Sequence, residues 1–259
     1  MPTASTRPTG QPDAQEPDIR SIEMAAVGTW LLNGWRDFRA APVYSLVYGV
    51  LFTAAMLAIL LLSRHKPGLS MSFFSGLLLL GPFLAAGTYI ASRQMESGEK
   101  VSISAALRLL LQRAGGLALI ALLLLLLQAA WIRLAALLIA FRSSTPELTI
   151  ASLRELLASF PDGYMLIMNF VAMGFVFASL VFVFTAIAIP LIVDRGTSPI
   201  NAMLISAKAV RSNRDTMLLW AASVVLLTLF GMATAFIAMI VIFPVLGYAT
   251  WHSYRGLLD

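Results

Sequence analysis

The chain offers two imidazoles, His65 and His252, and no cysteine. A zinc or haem–copper centre needs several convergent imidazole or thiolate ligands. Two histidines cannot build one, and the lack of thiols also removes disulfides and cysteine nucleophiles. His65 stands between Arg64 and Lys66 in a short polar stretch and reads as a solvated side chain. His252 lies one turn before Arg255 at the end of an apolar run. It reads either as an interfacial histidine or as part of a headgroup-binding site. None of the long apolar runs contains an Asp or Glu. An intramembrane hydrolase needs a positioned acid, base or nucleophile, and an ion-coupled transporter usually places a carboxylate in the membrane. The expectation is therefore a protein without enzymatic chemistry, metal or cofactor.

Two groups of polar residues remain. Arg133 is the one charge inside an apolar run, with Gln128 nearby and Asn169 on the following run. A charge at mid-membrane costs on the order of 3 kcal/mol, so Arg133 must face protein, water or the interface. It either snorkels outward beside Trp131 or contacts Gln128 and Asn169 across two helices. The second group, Arg93, Glu96, Glu99, Asp194, Arg195, His252 and Arg255, gathers charges of both signs at the ends of apolar runs. It reads as a solvated, lipid-facing rim or as a site for a partner or an anionic headgroup.

The elements that must carry these residues are membrane helices. Of 259 residues, 59% are hydrophobic and 12% charged, whereas a soluble domain has about 25% charged residues. The apolar residues also come in blocks. A spanning helix needs about 20 of them to cross about 30 Å of hydrocarbon. Val43–Leu62, Met71–Ala91, Leu117–Phe141 and Tyr164–Val193 each suffice, and Met217–Trp251 is long enough for one tilted helix or two short ones. Gly76, Gly81, Ala85, Ala86 and Gly87, and later Gly174, Ala178 and Ser179, are small residues that permit close helix packing. Pro82, Pro190 and Pro244 are candidate kinks. Residues 1–19 are rich in Pro, Thr, Gln and Asp and are expected to form a disordered cytoplasmic tail ahead of one membrane domain, 20–259.

An internal repeat decides the count. Pro82 to Arg93 matches Pro244 to Arg255 in register, and Pro190 to Arg195 is a shorter echo. Equivalent helix ends belong on one side of the membrane, which requires Met217–Trp251 to turn near Gly231 and gives six helices. Each hairpin follows an amphipathic segment. The first carries Met24, Val27, Leu31, Trp35 and Phe38 on one face; the second, Ile103, Leu107, Leu110 and Leu111; the third, Ile200, Met203, Leu204, Ala207 and Val210. Ser198-Pro199 supplies the third with an N-cap and a first-turn proline. Such helices lie flat in the headgroup region or pack on protein. The predicted fold is an all-α polytopic transmembrane bundle of six helices, built as three repeats of surface helix plus hairpin. Thirteen Lys and Arg, from Arg7 to Arg255, then fall on one side, against Arg64, Lys66, Arg142 and Arg154 on the other. Positive charge stays cytoplasmic, so both termini are expected inside. A small outer-surface helix is expected between Arg142 and Gly163.

The run Trp30-Leu-Leu-Asn-Gly-Trp-Arg-Asp37, the segment Gly81-Pro82 through Arg93 and the ending Pro244 to Tyr254-Arg255 resemble a family of bacterial integral membrane proteins of unknown function. More distantly, the chain is similar to the membrane domains attached to some glycerophosphodiester phosphodiesterases. The resemblance covers most of residues 20–258. It implies a bacterial inner membrane and a six-helix fold, and no activity. The expected role is a non-enzymatic inner-membrane scaffold, assembly factor or lipid-associated regulator. The alternative is a transporter or channel with a cavity between the repeats. The net charge of +5 points to membrane lipids, anionic headgroups at the cytoplasmic face above all, and not to nucleic acid. A membrane-protein partner is a further candidate.

Overall fold

The structure is a computed structural model that describes residues 17–63, 81–141, 154, 158–159 and 161–258. His65, Gly76, residues 71–80 of the second apolar block, the tail before residue 17 and most of the connection expected to hold an outer helix lie outside the described residues. Among the described residues the fold is all-helical. In chain order the helices are α1 (Ala26–Ala40), α2 (Pro42–Ser63), α3 (Gly81–Leu84), α4 (Ala86–Glu96), α5 (Ile103–Gln112) and α6 (Ala114–Ala140). They continue with α7 (Asp162–Thr185), α8 (Ala188–Arg195), α9 (Pro199–Ser212), α10 (Arg214–Ala233) and α11 (Met239–Leu257).

Four of the described helices are long and apolar enough to cross a membrane: α2, α6, α7 continuing through α8, and α10. Leu51, Leu62, Leu126, Val171, Leu218 and Leu226 stand exposed along them. Long runs of Leu, Ile, Val and Phe with few charges form helices whose backbone is satisfied internally, as hydrocarbon requires. These exposed stripes are the surface that meets lipid.

The core lies on the inner faces of these helices and on the elements they surround. Helices α4, α8 and α11 contact one another in the centre. Tyr89, Ile90, Ile187, Ile189, Tyr248 and Tyr254 are fully buried there. Glycine lets the helices approach. A Cβ on Gly49 of α2 would overlap the Ile240 carbonyl of α11, and one on Gly247 would overlap the Thr88 hydroxyl. Pro244 has no N–H, so the carbonyl four residues earlier, that of Ile240, has no helical donor. The bare Cα of Gly49 is what that carbonyl faces. Of the small residues singled out above, Gly87 meets the Tyr48 ring, Gly174 faces Trp131, and Gly81 borders open space.

The candidate kinks divide into two kinds. Helix α8 is broken from α7 at Ala186–Ile187, the position where Pro190 clashes with the carbonyl four residues back. Pro82 opens α3, and the break falls later, at Ala85, whose carbonyl accepts both the N–H and the hydroxyl of Thr88. The block Met217–Trp251 forms two helices, α10 and α11. They turn at 234–238, slightly past Gly231, with Ala235 and Phe236 at φ 52 and 67.

All three amphipathic segments are helices, but they are used differently. Helix α1 buries Val27, Trp30, Gly34 and Phe38 against α11, while Met24 and Trp35, expected on the apolar face, are exposed. The buried stripe is rotated toward Gly34 because that glycine allows contact with the backbone of Val245 and Ala249. Helix α9 buries Ala202, Ile205, Ser206 and Ala209. Ser198 occupies its N-cap position without a side-chain bond, and Pro199 opens the first turn. Helix α5 is capped by Ser102, which accepts from the Ala105 N–H, yet it buries only Ala106. Its apolar face is open: Ile103 is 67%, Leu107 56% and Leu111 66% exposed.

The described chain starts and finishes together. Ile19 bridges Leu258, and the Arg20 N–H donates to the Leu257 carbonyl. Asn213, between α9 and α10, accepts from the Ile22 N–H and donates to the Arg20 carbonyl.

Candidate functional site

Six of the seven rim residues singled out in the sequence meet at one end of the inner helices. Each arginine sits in the last turn of its helix, Arg93 on α4, Arg195 on α8 and Arg255 on α11. There a cation offsets the negative end of the helix dipole. Gly196, at φ 68, ends α8 in a left-handed C-cap. The three arginines are tied to neighbours on other elements. Arg93 Nε lies 2.9 Å from Asp194 Oδ1. Arg195 donates from Nε to the Tyr254 hydroxyl and from Nη2 to the Leu258 carbonyl, both at 3.1 Å. Arg255 Nε stands 3.4 Å from Glu96 Oε2.

Further ties complete the cluster. The Tyr254 hydroxyl donates to Asp194 Oδ2 at 2.6 Å. Burial, then the hydrogen bond and charge of Asp194, push the Tyr254 phenol above its ordinary value against the opposing pull of Arg195. It therefore stays protonated and remains a donor. His252 Nε2 is 2.9 Å from Asp37 Oδ2 and its Nδ1 is 3.9 Å from Glu96. Asp37 also accepts from Ser92. In this way α1, α4, α8 and α11 are joined at one end by charged and polar side chains. Glu99 lies outside the cluster, exposed just past Gly98, and its N–H donates to the Gln94 carbonyl.

Asp37, Ser92 and Tyr254 belong to this cluster and were not picked out from the sequence. The repeat held a signal for two of them. The residues just before the matched arginines are Ser92, Asp194 and Tyr254, and all three face the shared polar cluster. Asp37 had no such signal: it is not among the apolar positions of α1, and the rotation of that helix turns it toward His252 and Ser92.

The second group is not assembled. Gln128 is buried in α6, whereas Arg133 and Asn169 are exposed, and the Asn169 amide donates to the Met165 carbonyl on its own helix. Trp131 packs edge-on between Phe170 and Phe177 of α7 and so serves the contact of α6 with α7. Arg133 is exposed on the surface of α6. Among the described residues no group of three or more His, Asp or Glu could hold a metal ion.

Apolar spanning helices around a tyrosine-rich inner trio define a multi-pass integral membrane protein. Residues 70–194 match a family described as "predicted integral membrane protein (DUF2189)". The chain is similar to that family over just under half its length, from before α3 to the end of α8. No curated protein and no solved structure matches it, so the likeness to phosphodiesterase membrane domains gains no support.

Proposed function

We propose that the chain is a non-enzymatic bacterial inner-membrane protein, a scaffold, assembly factor or lipid-associated regulator that engages anionic headgroups at its cytoplasmic face. The observation that carries this reading is α5. Its flank at Ala106 rests on the bundle, its Ile103–Leu107–Leu111 face is unpacked, and Lys100 and Arg108 are exposed beside that face. A helix with one free apolar face and adjacent cations is suited to lie at the headgroup boundary. The rim cations are less suited to that task, because Arg93, Arg195 and Arg255 already bind groups on neighbouring elements.

The architecture of the proposal is three hairpins entering from one face, each after a surface helix: α1 before α2–α4, α5 before α6–α8, α9 before α10–α11. It is supported by the convergence of the three repeat arginines and by the pairing of Ile19 with Leu258, with both termini cytoplasmic. The fully buried side chains where α4, α8 and α11 meet support a scaffold over a transporter, which calls for a continuous polar path. The test is purification from native membranes with identification of bound lipids and proteins, for wild type and for the double variant Lys100→Gln, Arg108→Gln. Anionic lipid should be enriched in the wild type over the bulk membrane and fall toward the bulk fraction in the variant. The same lipid profile in both would sink the α5 assignment.

A further inference from the structure

The turn between α10 and α11 is built differently from a loop that emerges into water. No Asp, Glu, Lys or Arg occurs between Asp215 and Arg255, whereas the other two connections opposite the rim carry Arg64 and Lys66, and Arg142 and Arg154. Every backbone N–H from Thr234 through Ile242 has an acceptor within the hairpin. Thr234 donates to the Phe230 carbonyl, Ala235 to Met232, Phe236 to Gly231 and Ile237 to Thr234. The Ala238 N–H donates to the Thr234 hydroxyl, which itself donates to the Gly231 carbonyl. This closure needs two L-residues, Ala235 and Phe236, in the left-handed region. That conformation costs of order 1 kcal/mol or more per residue and persists only where the surroundings demand it.

Water would supply those hydrogen bonds without strain. Hydrocarbon cannot, and an unsatisfied backbone group there costs several kcal/mol. The reach of the hairpin agrees. From Arg255, in the rim, to Met239 is sixteen helical steps, or about 24 Å at 1.5 Å per step. Helix α6, which starts level with the same end where Gly116 meets Ile192, runs on for 27 residues, about 40 Å. The hydrocarbon layer is about 30 Å thick. Phe236 anchors the turn in the core, and Ile237 projects from it, 71% exposed.

We infer that the third hairpin is re-entrant: its turn, 234–238, ends inside the hydrocarbon and presents Ile237 to lipid acyl chains. The inference rests on the hairpin reading above and replaces its fifth and sixth crossings with a single dip from the rim side. The cysteine-free chain makes the test direct. Single variants Ile237→Cys, Ser159→Cys and Glu99→Cys are exposed to a membrane-impermeant maleimide from either side of the membrane. Ser159→Cys is expected to react from one side and Glu99→Cys from the other. Ile237→Cys should show no labelling above the cysteine-free protein from either side, yet react fully after denaturation in SDS. A bimane on that cysteine should be quenched most by lipids carrying a nitroxide deep in the acyl chain. Labelling of Ile237→Cys from the Ser159 side would overturn the inference and leave the hairpin standing as a full crossing. Labelling from the Glu99 side would overturn the inference and the hairpin reading together.

Discussion

Tyr254 and Glu96 show that two polar ties in one cluster contribute very differently. The Tyr254 hydroxyl is buried, donates to a carboxylate at 2.6 Å and accepts from Arg195. A hydrogen bond to a charged partner in such a place contributes about 1.5–3 kcal/mol. Tyr254→Phe should therefore lower the unfolding midpoint in detergent clearly, because Asp194 and Arg195 both lose a partner. Glu96 is more open, with side-chain exposures of 35% for itself and 38% for Arg255. Exposed pairs of this kind contribute about 0–1 kcal/mol. Glu96→Gln should leave the midpoint nearly unchanged. Equal losses in the two variants would show that the cluster acts as a single unit and that solvent exposure does not sort its members.

At the level of helices, the sequence located the elements better than their rotations. The three amphipathic segments are helical at their expected places because a 3.6-residue apolar period specifies a helix locally. The face each one buries depends on partners far along the chain. Gly34 was invisible as a contact because its role exists only against the backbone of Val245 and Ala249. The same holds for Gly49, which no local pattern distinguishes from Gly115. Gly49→Ala would force a methyl into the Ile240 carbonyl, and overpacking of this kind costs about 1–3 kcal/mol. Gly115 has no atom near its would-be Cβ, so Gly115→Ala should be neutral or stabilise α6 by up to about 1 kcal/mol. Thermal unfolding in one detergent compares them; no loss in Gly49→Ala would mean that α2 and α11 do not pack as described. The charged rim was legible for another reason. Arginines at the ends of three apolar runs are a one-dimensional pattern, and the structure brings those three ends together.

For the whole molecule, the meeting of Ile19 with Leu258 predicts topology independently of charge counting. Reporter fusions at the N-terminus and after Asp259 should both report the cytoplasmic side. Reporters on opposite faces would contradict the bridge, and both on the periplasmic face would contradict the charge asymmetry alone. The same closure has a consequence for biogenesis. Helix α1 enters the membrane environment early, yet the surface that covers Trp30 and Phe38 belongs to α10 and α11, and the Asn213 that holds Ile22 lies 191 residues downstream. Contacts of such long range form late. While the ribosome is still translating the middle of the chain, α1 has an aromatic face with nothing to cover it. That interval is when an insertase or a membrane chaperone has something to hold, and when a stalled or truncated chain is recognisable as unfinished.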